Sequence, residues 1–199
     1  MPNLSAFIFP LLGYLFGSLT FSVWVTRFVK GVDVRASGSG HATTTNTIRQ
    51  IGYGWGALVF ALDVAKGFIP TYFAFSWHLP IYVVALTATG AVIGHCLPLF
   101  ARFRGGMGLA TAGGALLAVN PLAFLICIGL LVLLVFAVVR HPARASALTG
   151  VLAAPALWIF QIRDVSFWAA FGAGIVIAIR FLTDWNRQYR QLWIDRDNA

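Results

Sequence analysis

Apolar segments long enough to cross a membrane alternate along the chain with short polar segments. A helix that spans the hydrocarbon core of a bilayer needs about 20 predominantly apolar residues. Candidate spans cover residues 4–26, 53–75, 81–101, 122–139, 147–160 and 165–182. Residues 109–139 are too long for one span, and Asn120-Pro121 divides them, because proline starts or breaks a helix. We therefore predict a further short helix near residues 107–119, and an all-α, polytopic membrane helical bundle of about seven transmembrane helices that forms one domain over residues 1–199.

Basic residues are concentrated in alternate polar segments. If seven helices cross, one side of the membrane holds four basic groups: Arg27, Lys30, Arg35 and Arg49; Arg102 and Arg104; Arg140 and Arg144; Arg187, Arg190 and Arg196. The loops on the opposite side hold only Arg163. Positively charged loops stay in the cytoplasm. The pattern therefore predicts an outside N-terminus, a cytoplasmic C-terminus and a multi-pass protein of the cell membrane.

The composition agrees with a membrane protein and argues against other classes. Hydrophobic residues make up 59% of the chain, charged residues make up 10%, and the mean hydropathy of +0.83 is too high for a soluble domain. The formal net charge of +8 forms no nucleic-acid motif, so we expect membrane lipids as partners and no nucleic acid. Cys96 and Cys127 lie in apolar segments without metal-ligand spacing, and no cofactor is expected. Arg27 follows the first apolar run, which predicts a retained span and not a cleaved signal peptide.

The polar segment over residues 31–49 contains groups that suit an anion. Gly38-Ser39-Gly40 allows the backbone to turn so that successive N–H groups point at one ligand. Thr45 and Asn46 add neutral donors, and Arg49 offers a guanidinium fork that fits phosphate. The alternative is a flexible polar loop in which Arg49 only anchors a helix at the membrane interface.

A second polar segment, over residues 94–111, combines a histidine, two arginines and a glycine-rich turn before a helix. Free N–H groups at a helix N-terminus and the positive end of its dipole bind anions. The candidate residues here are His95, Arg102, Arg104, Gly105, Gly106, Gly108 and Thr111. The alternative is a tight interhelical turn with inside-positive arginines and a structural histidine.

Asp63 and Lys66 lie within the second apolar segment. Ionisable groups inside a span are costly and usually face a protein interior or a water-filled cavity. Three residues apart, they share a helix face and can pair. A structural ion pair is one interpretation, and a catalytic or transport role is the other.

Four motifs follow one another along the chain: GYLFGS, GSG-x₅-N-x₂-R, LDV-x-KG and GHxxPxFxxFxGGxG-x-AT. Their combination, over roughly residues 11–190, resembles the bacterial acyl-phosphate:glycerol-3-phosphate acyltransferase (PlsY) family. The resemblance implies a seven-helix membrane enzyme with its active site at the cytoplasmic face and no metal or nucleotide cofactor. It also implies transfer of a fatty acyl group from acyl phosphate to glycerol 3-phosphate, which gives lysophosphatidic acid.

The resemblance also assigns site residues. Ser39, Asn46, Arg49 and His95 become the candidate catalytic residues. The candidate substrate-binding residues are Gly38, Gly40, Thr45, Arg102, Arg104, Gly105, Gly106, Gly108 and Thr111. The chain departs from the family pattern at His41 (family asparagine), Thr43 (glycine), Met107 (lysine), Ala143 (serine), Phe181 (histidine) and Asp184 (asparagine). An inactive or repurposed relative that binds a lipid or phosphorylated metabolite is therefore an alternative function. A small transporter is a further alternative, suggested by Asp63, Lys66 and the short fourth helix.

Overall fold

The computed structural model describes residues 4–187, and within them the chain is all-helical. The basic-tail residues Arg190 and Arg196 lie outside this range. The α-helices of the described chain are α1 (Ser5–Gly17), α2 (Phe21–Lys30), α3 (Thr44–Ile51), α4 (Tyr53–Ser76), α5 (Ile81–Cys96), α6 (Leu109–Val119), α7 (Pro121–Leu133), α8 (Pro142–Ile159) and α9 (Val165–Leu182). Short 3₁₀ turns cover Val34–Ala36 and Leu99–Ala101, and a π-helical turn over Leu134–Val138 extends α7.

Within residues 4–187, five helical segments are long and apolar enough to cross a bilayer: Ser5–Lys30, Tyr53–Ser76, Ile81–Ala101, Pro121–Val138 and Val165–Leu182. The predicted short helix is present as α6, which has 11 residues, and Asn120 caps the helix that follows it. The predicted sixth helix begins at Pro142 and not near residue 147, because the His141 side chain caps the Arg144 N–H. These helices confirm a helical membrane protein, while the count of seven crossings and the orientation stay predictions.

The prediction of one continuous helix in the first apolar segment is wrong. The segment forms two helices, α1 and α2, which are separated by a break around Leu19. The Lys66 ammonium donates a hydrogen bond of 2.8 Å to the Leu19 carbonyl, which the break leaves without a helical partner. The same ammonium lies 2.8 Å from the Asp63 carboxylate, and both side chains are buried. A paired charge inside the bundle therefore stabilises the break, and this contact favours the structural interpretation of the Asp63–Lys66 pair over transport.

Close contact between α4 and α6 places the N-terminal end of α6 beside Asp63. A Cβ atom on Gly67 would lie 2.0 Å from the Thr111 carbonyl oxygen, and one on Gly114 would lie 2.1 Å from that of Val64. Only glycine permits this approach of two helix backbones, as is common between membrane helices. The glycines thus bring the glycine-rich turn before α6 against the ionisable residues of α4.

Candidate active site

A cavity of about 420 Å³ lies where the loop before α3 meets α4, α5 and the ends of α6, α8 and α9. Its walls are Ser39, His41, Thr43, Thr44, Thr45, Arg49, Phe60, Asp63, His95, Met107, Gly108, Leu109, Ala110, Pro142, Ser146 and Phe181. The structure therefore brings together residues that are up to 142 positions apart in the sequence, from Ser39 to Phe181. Five of the predicted site residues line this cavity: Ser39, Thr45, Arg49, His95 and Gly108.

Asn46 organises the loop that carries Ser39. Its side-chain amide donates to the carbonyl oxygens of Val34, Ser37 and His41 at 2.7, 3.1 and 3.1 Å. Its side-chain oxygen accepts from the Ser39 N–H at 3.2 Å, and the residue is fully buried. Because its polar atoms are engaged by the loop backbone and it is absent from the cavity wall, the structure gives Asn46 a positioning role where the sequence suggested direct catalysis.

Gly38 is required by the same arrangement. Its φ of +61° is in the left-handed region, and a Cβ atom would lie 2.2 Å from the Asn46 side-chain oxygen. Gly38 and Gly40 thus shape the loop without lining the cavity.

Helix α3 presents a threonine and an arginine to the cavity. Thr43 caps the helix by accepting from the Asn46 N–H at 3.2 Å, which places Thr44 in the first turn. The Thr44 hydroxyl is buried and has no hydrogen-bond partner among residues 4–187, so it is available to a ligand. One to two turns further on, the Arg49 side chain is 8% exposed and lines the same wall. A hydroxyl and a guanidinium on one side of a cavity suit a phosphate group.

His95 is held in the cavity wall by buried polar neighbours. Its Nδ1 lies 3.1 Å from the Thr111 hydroxyl and 3.7 Å from the Asp63 carboxylate. The His95 carbonyl accepts from the Gly106 N–H at 3.0 Å, and a Cβ atom on Gly106 would lie 2.1 Å from His95 Nε2. Thr111 and Gly106 therefore orient the imidazole although neither residue is part of the cavity wall.

Arg102 and Arg104 do not reach the cavity. Both side chains are exposed on the turn before α6, and neither lines the wall, so the structure does not support their predicted role in substrate binding. Arg35 holds this turn instead, because its guanidinium donates to the carbonyls of Ala101 and Arg104 at 2.8 and 2.9 Å. Gly105 lies behind the wall as well, where its carbonyl accepts from the Ala42 N–H at 3.3 Å.

The Arg35 contact also fixes the start of the polar loop. Its guanidinium lies 2.7 Å from the Asp33 carboxylate, and Arg27 lies 2.8 Å from the same group. Hydrogen bonding to Arg35 lowers the pKa of Asp33 well below its usual range and raises the pKa of Arg35. Asp33 therefore stays ionised at neutral pH and links the two glycine-rich segments through Arg35.

Sequence reasoning did not select several wall residues, of which Ser146 and His41 matter most. Ser146 is buried, lines the cavity and follows Ala143 by three positions, a spacing that places both on one face of α8. That helical spacing was the available signal. His41 was recognised only as a departure from the family pattern, because its contacts come from a distant part of the chain.

A second cavity of about 400 Å³ adjoins the first and is almost entirely apolar. The two cavities share Phe60, Leu109 and Ala110 as wall residues. The second extends between α4, α6, α7, α8 and α9, and its walls include Leu116, Phe124, Leu131 and Ile177. The site as a whole therefore has a polar part, suited to anions, and a neighbouring apolar part within the bundle.

These features define an integral membrane helical protein with a polar, phosphate-compatible site that adjoins an apolar cavity. The chain belongs to the glycerol-3-phosphate acyltransferase family, whose family model matches residues 7–191.

Relatives and solved structures agree with this assignment. The chain is 36% identical over 141 residues to a glycerol-3-phosphate acyltransferase of Bacillus velezensis, a match that covers 71% of this chain and 72% of the relative. It is similar to the crystal structure of PlsY (YgiH), an integral membrane glycerol 3-phosphate acyltransferase, in its glycerol 3-phosphate form, with a TM-score of 0.81, 34% identity and coverage of 92% of this chain and 91% of that one. The lysophosphatidic acid form of PlsY gives a TM-score of 0.79 and 31% identity, and covers 98% of this chain and all of that one.

Proposed function

We propose that the protein transfers a fatty acyl group from acyl phosphate to glycerol 3-phosphate, with lysophosphatidic acid and inorganic phosphate as products. The observation that carries this proposal is the junction of the two cavities. An acyl phosphate has an anionic head and an apolar tail, and the polar cavity shares Phe60, Leu109 and Ala110 with the apolar one. The names of the relatives and the two ligand forms of the similar PlsY structure support the same reaction.

The reaction needs positioning more than covalent help from the protein. A glycerol 3-phosphate hydroxyl attacks the acyl carbonyl carbon, a new C–O ester bond forms, and the bond from that carbon to the phosphate oxygen breaks. Phosphate leaves with the electron pair, and in the overall balance it takes up the hydroxyl proton. Because phosphate is already a good leaving group, orientation of two anionic substrates and stabilisation of the developing oxyanion supply the rate enhancement.

The wall residues divide these tasks. Ser39, Thr44 and Arg49 bind phosphate oxygens on the α3 side of the cavity, supported by the backbone at Gly108. His95 donates to a substrate oxygen from the opposite wall, in the orientation fixed by Thr111.

Purified protein incubated with a long-chain acyl phosphate and glycerol 3-phosphate is the direct test, with the products identified by mass spectrometry. We expect lysophosphatidic acid from the parent protein and loss of most activity in Arg49→Lys, because a point charge does not reproduce a bidentate fork. Arg163→Lys makes the same change on the loop before α9, outside the cavity wall; it is the matched control and should match the parent. Equal product from Arg49→Lys and the parent would refute the phosphate role of Arg49.

The proposed orientation puts this cavity at the cytoplasmic face, with seven crossings and an outside N-terminus. The basic residues near the cavity support it, because positively charged loops stay in the cytoplasm. With Cys96 and Cys127 replaced, Ser37→Cys should react with a membrane-impermeant thiol reagent only in opened cells, and Ser76→Cys in intact cells. Labelling of position 37 in sealed cells would reverse the orientation.

One observation favours a second candidate, a relative that binds these ligands without acyl transfer. Met107, Ala143 and Phe181, which replace polar family residues, pack in one apolar cluster beside the polar cavity. Tight binding of glycerol 3-phosphate by a protein that forms no product would select this candidate.

A further inference from the structure

Two departures from the family pattern, His41 and Asp184, are in direct contact although 143 positions separate them. His41 Nε2 lies 3.0 Å from one oxygen of the Asp184 carboxylate. The other oxygen lies 3.1 Å from the Arg187 guanidinium, and Asp184 is 1% exposed. A buried carboxylate that pairs with both a histidine and an arginine is strongly constrained in position.

Arg180 and Arg187 join the C-terminal end of the bundle to both glycine-rich segments. The Arg187 guanidinium donates a short hydrogen bond to the Ser39 carbonyl. Arg180 donates to the Gly106 carbonyl at 3.0 Å and to His41 Nδ1 at 3.3 Å. The end of α9 and the turn after it therefore hold the Ser39–His41 turn at two points, through the Ser39 carbonyl and through the His41 ring.

These contacts fix the tautomer of His41. An ionised Asp184 only accepts hydrogen bonds, so Nε2 is the protonated nitrogen and donates to it, and Nδ1 then accepts a hydrogen bond from Arg180. Both ring nitrogens are occupied, which leaves neither for proton transfer with a substrate. His41 thus acts on the Ser39 turn and not on the reacting atoms.

We propose that His41 and Asp184 form a positioning pair that holds the Ser39 turn in its ligand-binding conformation. The proposal rests on the proposed function, in which Ser39 binds a substrate phosphate. At two positions where the family pattern has asparagines, this chain has an imidazole and a carboxylate that contact each other.

Protonation of His41 would break the arrangement. A proton on Nδ1 would face the Arg180 guanidinium, so two donors would meet and the Arg180–His41 hydrogen bond would be lost. Asp184 and Arg180 contact the ring, and Arg187 acts on it electrostatically; all three lie in the last turn of α9 or just after it. Burial lowers the pKa of His41 against the opposing effect of Asp184. The neutral ring thus persists at pH 7. The Arg180–His41 hydrogen bond is lost only on the acid side of the usual histidine pKa of about 6.5, while the His41–Asp184 contact remains.

A double-mutant cycle on the full-length protein tests the pair. His41→Asn and Asp184→Asn should each lower kcat/KM by about tenfold, which equals about 1.4 kcal/mol. The double variant, which has asparagine at both positions as in the family pattern, should be no less active than the less active single variant, because each single change already breaks the same contact. His78→Asn and Asp164→Asn make the same changes away from the cavity, on the loop before α5 and at the N-cap of α9, and should leave kcat/KM unchanged.

The pH profile separates positioning from general stability. Substrate phosphates also titrate near pH 6, so the informative quantity is the difference between profiles. The parent should lose kcat/KM more steeply toward acid pH than His41→Asn does. Losses that multiply in the double variant, or identical profiles in the parent and His41→Asn, would overturn the pair. Absence of product from the parent would instead overturn the proposed function.

Discussion

The two sides of the polar cavity have departed from the family pattern in opposite ways. On the α3 side, His41 replaces an asparagine and contacts Asp184, which replaces another, so polar character is retained through a new hydrogen bond. On the α6 and α8 side, Met107, Ala143 and Phe181 replace a lysine, a serine and a histidine, and together they form an apolar cluster. The α3 side thus has two polar residues that contact each other in place of two other polar residues. The α6 and α8 side has apolar residues in place of polar ones.

This difference indicates which side of the site holds the ligand. A buried polar group costs free energy unless it is hydrogen-bonded, so paired polar residues persist only where their contacts are maintained. Met107, Ala143 and Phe181 lie in one apolar cluster, so these three side chains offer a bound phosphate no hydrogen-bond donor. We therefore expect binding of the substrate phosphate to depend mainly on the α3 side of the cavity. Three substitutions test this comparison.

The largest effect is expected from Gly38→Ala, which disrupts the α3 side. The new methyl group would meet the Asn46 side-chain oxygen at 2.2 Å, in a backbone conformation with φ of +61° that alanine rarely adopts. Displacement of Asn46 would release its contacts to the loop backbone. We expect kcat/KM to fall by about a hundredfold or more, equivalent to about 2.7 kcal/mol, as measured by lysophosphatidic acid formation.

Gly31→Ala is the matched control for that change. Gly31 has φ of +72°, and a Cβ atom there would have no neighbour within 4 Å. Both variants carry the same type of backbone strain, but only one displaces Asn46. Equal losses in the two variants would assign the effect to strain and remove the argument that Asn46 organises the site.

An intermediate effect is expected from Met107→Lys, which restores a cation on the apolar side. Met107 is 7% exposed and lines the cavity, so an ammonium at its end can point at a bound phosphate. A hydrogen bond to a charged group contributes about 1.5–3 kcal/mol. We therefore expect affinity for glycerol 3-phosphate to rise by about tenfold or more, as measured by calorimetry on the detergent-solubilised protein.

The same variant should be less stable without ligand, because an unpaired charge in the Phe181 cluster is costly. Glycerol 3-phosphate should restore its melting temperature by mass action. Met107→Leu keeps the apolar side chain and should change neither affinity nor stability appreciably. Unchanged affinity in Met107→Lys would show that the phosphate does not approach this wall.

Sequence patterns predicted the helical membrane architecture because apolar length and the Asn120-Pro121 break report local structure directly. They did not predict the break at Leu19, because the group that stabilises it, Lys66, lies 47 positions away. Motif spacing identified Ser39 and Arg49 in the cavity wall, but it could not distinguish them from Asn46, whose side chain turns back onto the loop.

Charge proximity in the sequence was also an incomplete guide. Arg102 and Arg104 flank the glycine-rich turn, yet both side chains are exposed and neither lines the cavity. Arg180, Asp184 and Arg187 contact the first loop only because α9 ends beside it. Contacts between residues so far apart in the sequence depend on how the helices pack, and no local pattern in a single sequence indicates them.

The smallest effect is expected from Ser146→Ala, which removes a hydroxyl that the otherwise apolar α8 wall still offers to the polar cavity. Ser146 is buried, lines the cavity and lies on the same face of α8 as Ala143. A neutral hydrogen bond contributes about 0.5–1.5 kcal/mol, so kcat/KM should fall by only about threefold if the α3 side supplies most of the binding. Thr149→Ala is the control, because the Thr149 hydroxyl bonds to the Ala145 carbonyl within its own helix at 2.8 Å and lines only the apolar cavity. A loss in Ser146→Ala as large as that in Arg49→Lys would place the essential phosphate contacts on both walls. The proposed contrast between a polar α3 side and an apolar α8 side would then be wrong. Ser146 would supply phosphate binding in place of the missing lysine, serine and histidine.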